Sequence, residues 1–154
     1  MSLAAIAELK STRKFFLTTI SVLDAGDETF APHPDMYTTA GHVAHVAITI
    51  DWIMAGAFWA GWDSAYDVHI AQAKAVTSLD AARALLEHAF ESAIATLGTI
   101  TDAELDEPIP NDIVMGGAPK RAVISGIVDH TAHHRGSLAV YARLRGKVPH
   151  MPYE

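Results

Sequence analysis

The sequence contains no cysteine. That removes disulfide scaffolds, thiolate zinc fingers, iron–sulfur clusters and cysteine nucleophiles together. Basic residues are scarce: 11 Lys and Arg stand against 18 Asp and Glu, a formal charge of −7. A chain of that sign is not expected to have nucleic acid or an anionic membrane as its main partner. Long apolar runs are missing too. The most hydrophobic stretch, residues 43–62, has His45 and Asp51 well inside it, whereas a membrane-spanning helix wants about 20 apolar residues with few or no charges. Residues 1–23 mix Glu8, Lys10, Arg13 and Lys14 among their apolar positions, so no export signal is expected there. The lack of thiols agrees with a cytoplasmic location.

What is present is a chain of 154 residues, half of them hydrophobic. It is expected to fold as one domain over 1–154, burying roughly 70% of the surface it exposes unfolded. Four segments repeat apolar residues at three- and four-residue steps. The first runs from about Ser2, a candidate cap, to Leu23, through Ile6, Leu9, Phe16 and Ile20. The second starts at Thr38 or Thr39, both good N-caps, and ends near Trp59. The third starts near Ser78 with a stripe of Ala82, Leu85, Leu86, Ala89, Phe90, Ala93 and Leu97. The fourth opens after Ala118 with Pro119 as first residue and runs to about Arg145, with Gly146 as the stop. Residues 61–77 are ambiguous, with a loose helical turn over 71–75. Residues 98–118 read as an irregular connection, with one turn at 102–105 and an extended piece over 109–115. Few strand signals and four amphipathic helices predict an all-α four-helix bundle.

Nine histidines are present, and five fall in two patches. His42 and His45 lie on the second predicted helix; His130, His133 and His134 lie on the fourth. Residues three or four apart share a helix face, so His130 and His134 form a clamp of the kind metal sites use. Both interrupt the apolar series Val123, Ile127, Leu138, Tyr141, and His45 heads a series with Ile48, Trp52, Ala55 and Trp59. Three buried imidazoles without partners would each cost about 1–3 kcal/mol, and one shared cation satisfies them at once. Zn²⁺, Ni²⁺ or Fe²⁺ on neutral imidazoles is ordinary chemistry. His42 is the rival third ligand. His133 points about 60° away from the midline of the pair, too far to join it. The competing reading makes these rings packed core histidines, bonded to main-chain carbonyls or to Asp51 and Asp129. His33, His69, His88 and His150 are scattered and receive no role. Arg135 reads as a surface or interface charge, and Trp52, Trp59 and Trp62 as core or interface.

A dinuclear carboxylate site is disfavoured. No Glu precedes a His by three, and no His-Glu-x-x-His occurs. The only acids on the two histidine-bearing helices are Asp51 and Asp129, so a mononuclear site is expected.

The run from His130 to Leu138 (HTAHHRGSL), followed by Tyr141-Ala-Arg143-Leu-Arg-Gly146, resembles the last-helix signature of the DinB-type (damage-inducible, YfiT-like) metalloprotein family. Gly41-His42-Val-Ala-His45 with Trp52 downstream resembles that family's second-helix pattern, and Pro149 and Pro152-Tyr153 its closing segment. Ser137 stands where the family often has Gln, and Ile50 where a polar residue is common. The resemblance implies an up-down-down-up bundle, commonly a homodimer, with a metal triad at His45, His130 and His134. It further implies thiol S-transferase chemistry with a low-molecular-weight thiol such as bacillithiol, mycothiol or glutathione, or a thiol-dependent isomerase.

A metal on three protein nitrogens keeps open positions and can polarise a ligand oxygen or sulfur. The expected function is therefore a metal-dependent thiol transferase or hydrolase acting on a small electrophile. His42, His133 and Asp51 are candidates to hydrogen-bond a ligand ring or shuttle protons. The alternative is a metal-binding stress or interaction protein without turnover.

Overall fold

The computed structural model describes residues 3–59, 61–110 and 114–153. These form α1 (Leu3–Ile20), α2 (Thr39–Phe58), α3 (Tyr66–Ala75), α4 (Leu79–Thr99), α5 (Asp102–Asp106) and α6 (Ala122–Leu144), with no strand among them. The expected cap Ser2 and the middle of the expected extended piece, residues 111–113, lie outside the described residues.

Local chemistry explains most of the boundaries. The Thr38 side chain accepts from the Gly41 N–H at the start of α2, and Ser78 accepts from Ala81 at the start of α4; each satisfies one of the orphan donors of a helix start. Thr101 and Glu104 close a capping box on the short α5. Gly146, at φ 75°, ends α6 in a conformation that costs other residues.

Two expected boundaries are corrected. The first helix stops at Ile20, and residues 21–22 form a turn. The last helix starts at Ala122, because Pro119 is used elsewhere: it pairs with Pro108 in an isolated antiparallel bridge. Around that bridge Ile109 N–H donates to Ala118 C=O at 2.8 Å and Lys120 N–H to Glu107 C=O at 2.9 Å. The loose turn expected over 71–75 is the end of a full helix, α3.

The four long helices pack in a ring. α1 touches α4 and α6, and α2 touches the same two from the other side, with α3 laid against α2. One continuous core fills the ring, built on Leu9, Phe16, Ile50, Met54, Leu86, Phe90, Ile127 and Leu138. Leu85, placed in the core by its stripe, is 42% exposed. The face of α2 carrying His45, Ile48, Trp52 and Ala55 is only half-buried, and Trp59 is exposed, whereas Val43, Ala47, Ile50, Met54 and Ala57 are fully inside. The series headed by His45 therefore borders a cleft and not the core.

At one end, Asp27 ties the α1–α2 connection to the end of α6. It is buried, and Arg145 Nε donates to it at 3.0 Å, joined by Lys147. Burial works to raise this carboxyl, but hydrogen bonds from Lys147, from the Asp24 N–H and from Arg145 outweigh it and hold it at about 2.

Two glycines set the cleft. A Cβ on Gly41 would lie 3.1 Å from the Ala73 carbonyl, so the approach of α3 to α2 uses the missing side chain. A Cβ on Gly56 would overlap the Trp62 ring. Gly56→Ala must displace that buried indole, at about 1–3 kcal/mol. The helix-propensity gain from Gly to Ala returns at most about 1 kcal/mol. The expected result is a lower urea midpoint with a blue- or red-shifted tryptophan emission; an unchanged midpoint would show that Trp62 is not seated on Gly56.

Candidate metal centre

The N-terminal half of α2 and the middle of α6 face each other, and their imidazoles meet there. One ring nitrogen from each of His45, His130 and His134 lies within 4.8 Å of the other two. His134 Nε2 is 3.0 Å from His130 Nε2, and the ring centroids of His45 and His134 are 4.8 Å apart. All three are partly buried. The hydrogen bonds of these rings run to one another, to His42 and to Tyr37, so the reading of separate core histidines tied to carbonyls or to Asp51 and Asp129 does not describe them.

The rival third ligand, His42, takes another place. It is buried at 5% exposure, and its Nε2 lies 2.6 Å from His134 Nδ1. His45 is held similarly: its ring stacks on Tyr37 at 4.9 Å, and Nδ1 lies 3.4 Å from the Tyr37 hydroxyl. Tyr37 is itself anchored, since Tyr141 Oη donates to its carbonyl at 3.0 Å. His134 and His45 thus each have one nitrogen engaged by a neighbour and the other left toward the cluster. Metal-bound histidines show this habit, in which the outer hydrogen bond fixes tautomer and ring orientation.

Electrostatics favour the neutral rings. Burial is the largest cause of depression at each, reinforced by the neighbouring histidines at all but His45. His42 and His130 are pushed down to about 4, His134 to about 2, and His45 is lowered by burial. No carboxylate among the described residues is hydrogen-bonded to these four rings. In a cation-free cluster one proton must lie between the Nε2 atoms of His130 and His134; with that proton gone, both nitrogens would offer lone pairs to a divalent ion held together with His45. Ligand nitrogens each about 2.1 Å from one ion lie roughly 3.0–3.4 Å apart; the 3.0 Å between His130 and His134 has that spacing, and the triad as a whole, within 4.8 Å, would close on an ion by a small movement of its rings. The donor set fits a borderline divalent cation.

The other expected residues are not brought into the cluster. His133 is exposed and meets His134 edge to face at 4.8 Å. Asp51 lies on another side of α2, where partial desolvation by its neighbours raises its carboxyl and His88 of α4 opposes that. Arg135 is more than a surface charge: its guanidinium lies 5.8 Å from the ring centres of both Phe15 and Tyr153, with Nη1 buried. Trp62 is buried, Trp59 exposed, and Trp52 lines the cleft. Sequence reasoning missed Tyr37 and His69. Tyr37 directly precedes the cap Thr38, and that position beside the histidine-bearing turn was the one available signal. His69 lines the same cleft as His45 and His130.

Two cavities reach the cluster. One of about 210 Å³ includes His45 and His130 in its walls; the other, of about 420 Å³, includes His42 and His134.

The helical ring and its histidine edge define a class, an all-helical protein whose site fits metal binding. The chain belongs to the DinB superfamily, whose sequence pattern matches residues 8–138, a span that holds all three clustered histidines. No curated protein and no solved structure matches it.

Because His42 Nε2 is hydrogen-bonded to His134 Nδ1, His42→Phe keeps the ring's bulk and removes that bond. Metal affinity, read by competition with a chromophoric chelator, is expected to fall about 10–100-fold. Unchanged affinity would remove His42 from the site.

Proposed function

We propose that this protein is a metal-dependent enzyme with a mononuclear site formed by His45, His130 and His134, acting on a small electrophile as a thiol S-transferase or a hydrolase. The observation that carries the reading is the convergence of three neutral imidazoles beside cavities large enough for small molecules. A purely structural ion is enclosed by protein ligands; an ion that does chemistry needs an open side. When bound, a divalent cation supplies Lewis acidity toward a substrate oxygen or sulfur. The residues around it orient and move protons. Tyr37 and His42 hold the ligand rings. His133, on the rim of the larger cavity with Lys74 and Ser137, is placed to exchange a proton with a hydrophilic reactant.

The family resemblance supports the remaining parts of this reading: an up-down-down-up order, a homodimer, and a cytoplasmic location. No helix among the described residues is long and apolar enough to cross a membrane. The test is elemental analysis of protein purified without a nickel column, followed by a screen of low-molecular-weight thiols with model electrophiles. About one Zn, Ni or Fe per chain and thiol- or water-dependent turnover are expected. A chain that takes up none of these ions after equilibration would overturn the proposal.

A further inference from the structure

The triad borders two chambers that differ in polarity. The smaller is walled by Ile48, Thr49 and Trp52 of α2 and by Tyr66, His69 and Ile70 of α3, and among the described residues no Asp, Glu, Lys or Arg borders it. The larger has Asp35, Lys74, His133 and Ser137 on its walls. Ile70 borders both. Residues 45, 48, 49 and 52 share one face of α2, so the apolar wall runs continuously from the cluster outward.

That wall is braced. Trp52 Nε1 donates to the Asp63 carbonyl at 3.1 Å, and its ring meets Trp62 at 4.8 Å and Tyr66 at 5.7 Å, both edge-on. The Asp63 carboxylate accepts from the Ala65 N–H at 2.9 Å and bonds His69 Nε2 at 3.0 Å. One aspartate thereby fixes the indole, the start of α3 and the imidazole. Its own charge stays out of the chamber. Such bracing preserves a cavity that would otherwise collapse. Size then limits the occupant. An apolar cavity of about 150 Å³ stays dry and admits benzene, so about 210 Å³ admits one ring with a short substituent.

We propose that this chamber binds the body of the substrate, a neutral apolar group of single-ring size whose polar head reaches His45 and His130, while the hydrophilic reactant enters from the larger chamber. The position of the head rests on the metal reading above; the ring pocket rests on the chamber alone.

Benzohydroxamate and acetohydroxamate share a metal-binding head and differ by the ring. On the zinc-loaded full chain, benzohydroxamate is expected to bind about tenfold or more tightly, because burying a ring is worth at least that much. Ile48→Trp fills the chamber and should bring the ratio toward one, leaving zinc content and acetohydroxamate affinity unchanged. Thr49→Phe is the second variant should Ile48→Trp not fold. Zinc-free protein is examined with fluorobenzene by fluorine NMR; saturable binding that both fillings abolish is expected. A ratio near one in the unaltered protein, or a ratio that neither filling changes, overturns the chamber proposal and leaves the metal site standing. Fluorobenzene binding abolished by the fillings in a chain that takes up no zinc supports the chamber and overturns the metal reading.

Discussion

His130→Ala is expected to abolish stoichiometric metal binding while the chain stays folded. The residue is partly buried on α6 with its Nδ1 unpartnered, so its removal breaks no hydrogen bond to the rest of the bundle beyond the one at His134 Nε2. Truncation to alanine leaves a small opening at the cleft, where water can enter, and not a dry cavity in the core. Two imidazoles remain, one of them without its closest companion. Changing an outer partner of a ligand typically costs 10–100-fold in affinity, and losing a ligand itself should cost more. Elemental analysis should therefore fall from about one ion per chain to a trace, with circular dichroism unchanged and any turnover lost with the ion. His133→Ala is the control: its ring is exposed and outside the triad, so metal content should hold. Retention of the ion by the His130 variant, or its loss from the His133 variant, would sink the assignment of the triad.

How far the sequence already contained this picture depends on whether the responsible chemistry is local. The caps at Thr38 and Ser78 were legible because a hydroxyl and an N–H three residues on decide them. The pairing of His130 with His134 was legible for the same reason: helical spacing alone stacks them. The burial of α2 was not. Nearly every position on it is apolar, so its period singles out no face, and contacts with α3, α4 and α6 decide which side is deepest. α3 was read as ambiguous because only Ala73 of its ten residues is buried; the approach of Ala73 to Gly41, more than thirty positions away, holds it. Pro119 has the local signature of a helix start, but its pairing with Pro108 overrides that. Tyr37 and His69 enter the site only through contacts between segments distant in sequence. A periodicity argument cannot see these, nor that the cluster lies at a half-buried edge bordered by cavities.

Acid should destabilise the metal-free protein well above the pH at which carboxylates titrate. The ordinary imidazole pKa is about 6.5. In the folded chain His42 and His130 lie at about 4, His134 at about 2, and His45 is lowered. Between those values and 6.5 the unfolded chain binds protons that the folded chain refuses. Stability therefore rises with pH in that window, is fully present above about 6.5, and is lost as pH falls through the folded values. His42, at 5% exposure, contributes the largest undiluted share, on the order of 3 kcal/mol over its window; the half-exposed rings contribute less because solvent screens them. Against a typical domain stability of about 5–15 kcal/mol, that loss is easily measured. Asp27, held at about 2, adds a second loss only below about 3.9, where it too must protonate on unfolding. The urea midpoint should be flat from pH 8 to 7, fall steeply from 6.5 toward 4, and fall again below. His42→Phe should flatten the upper part of that decline and leave the lower part, which belongs to Asp27, in place. A bound ion should steepen the upper part, since its stabilisation disappears as protons displace it. A midpoint constant from pH 7 to 5 in the metal-free chain would mean the imidazoles are as accessible to protons folded as unfolded, and the packed cluster on which the site depends would not exist in solution.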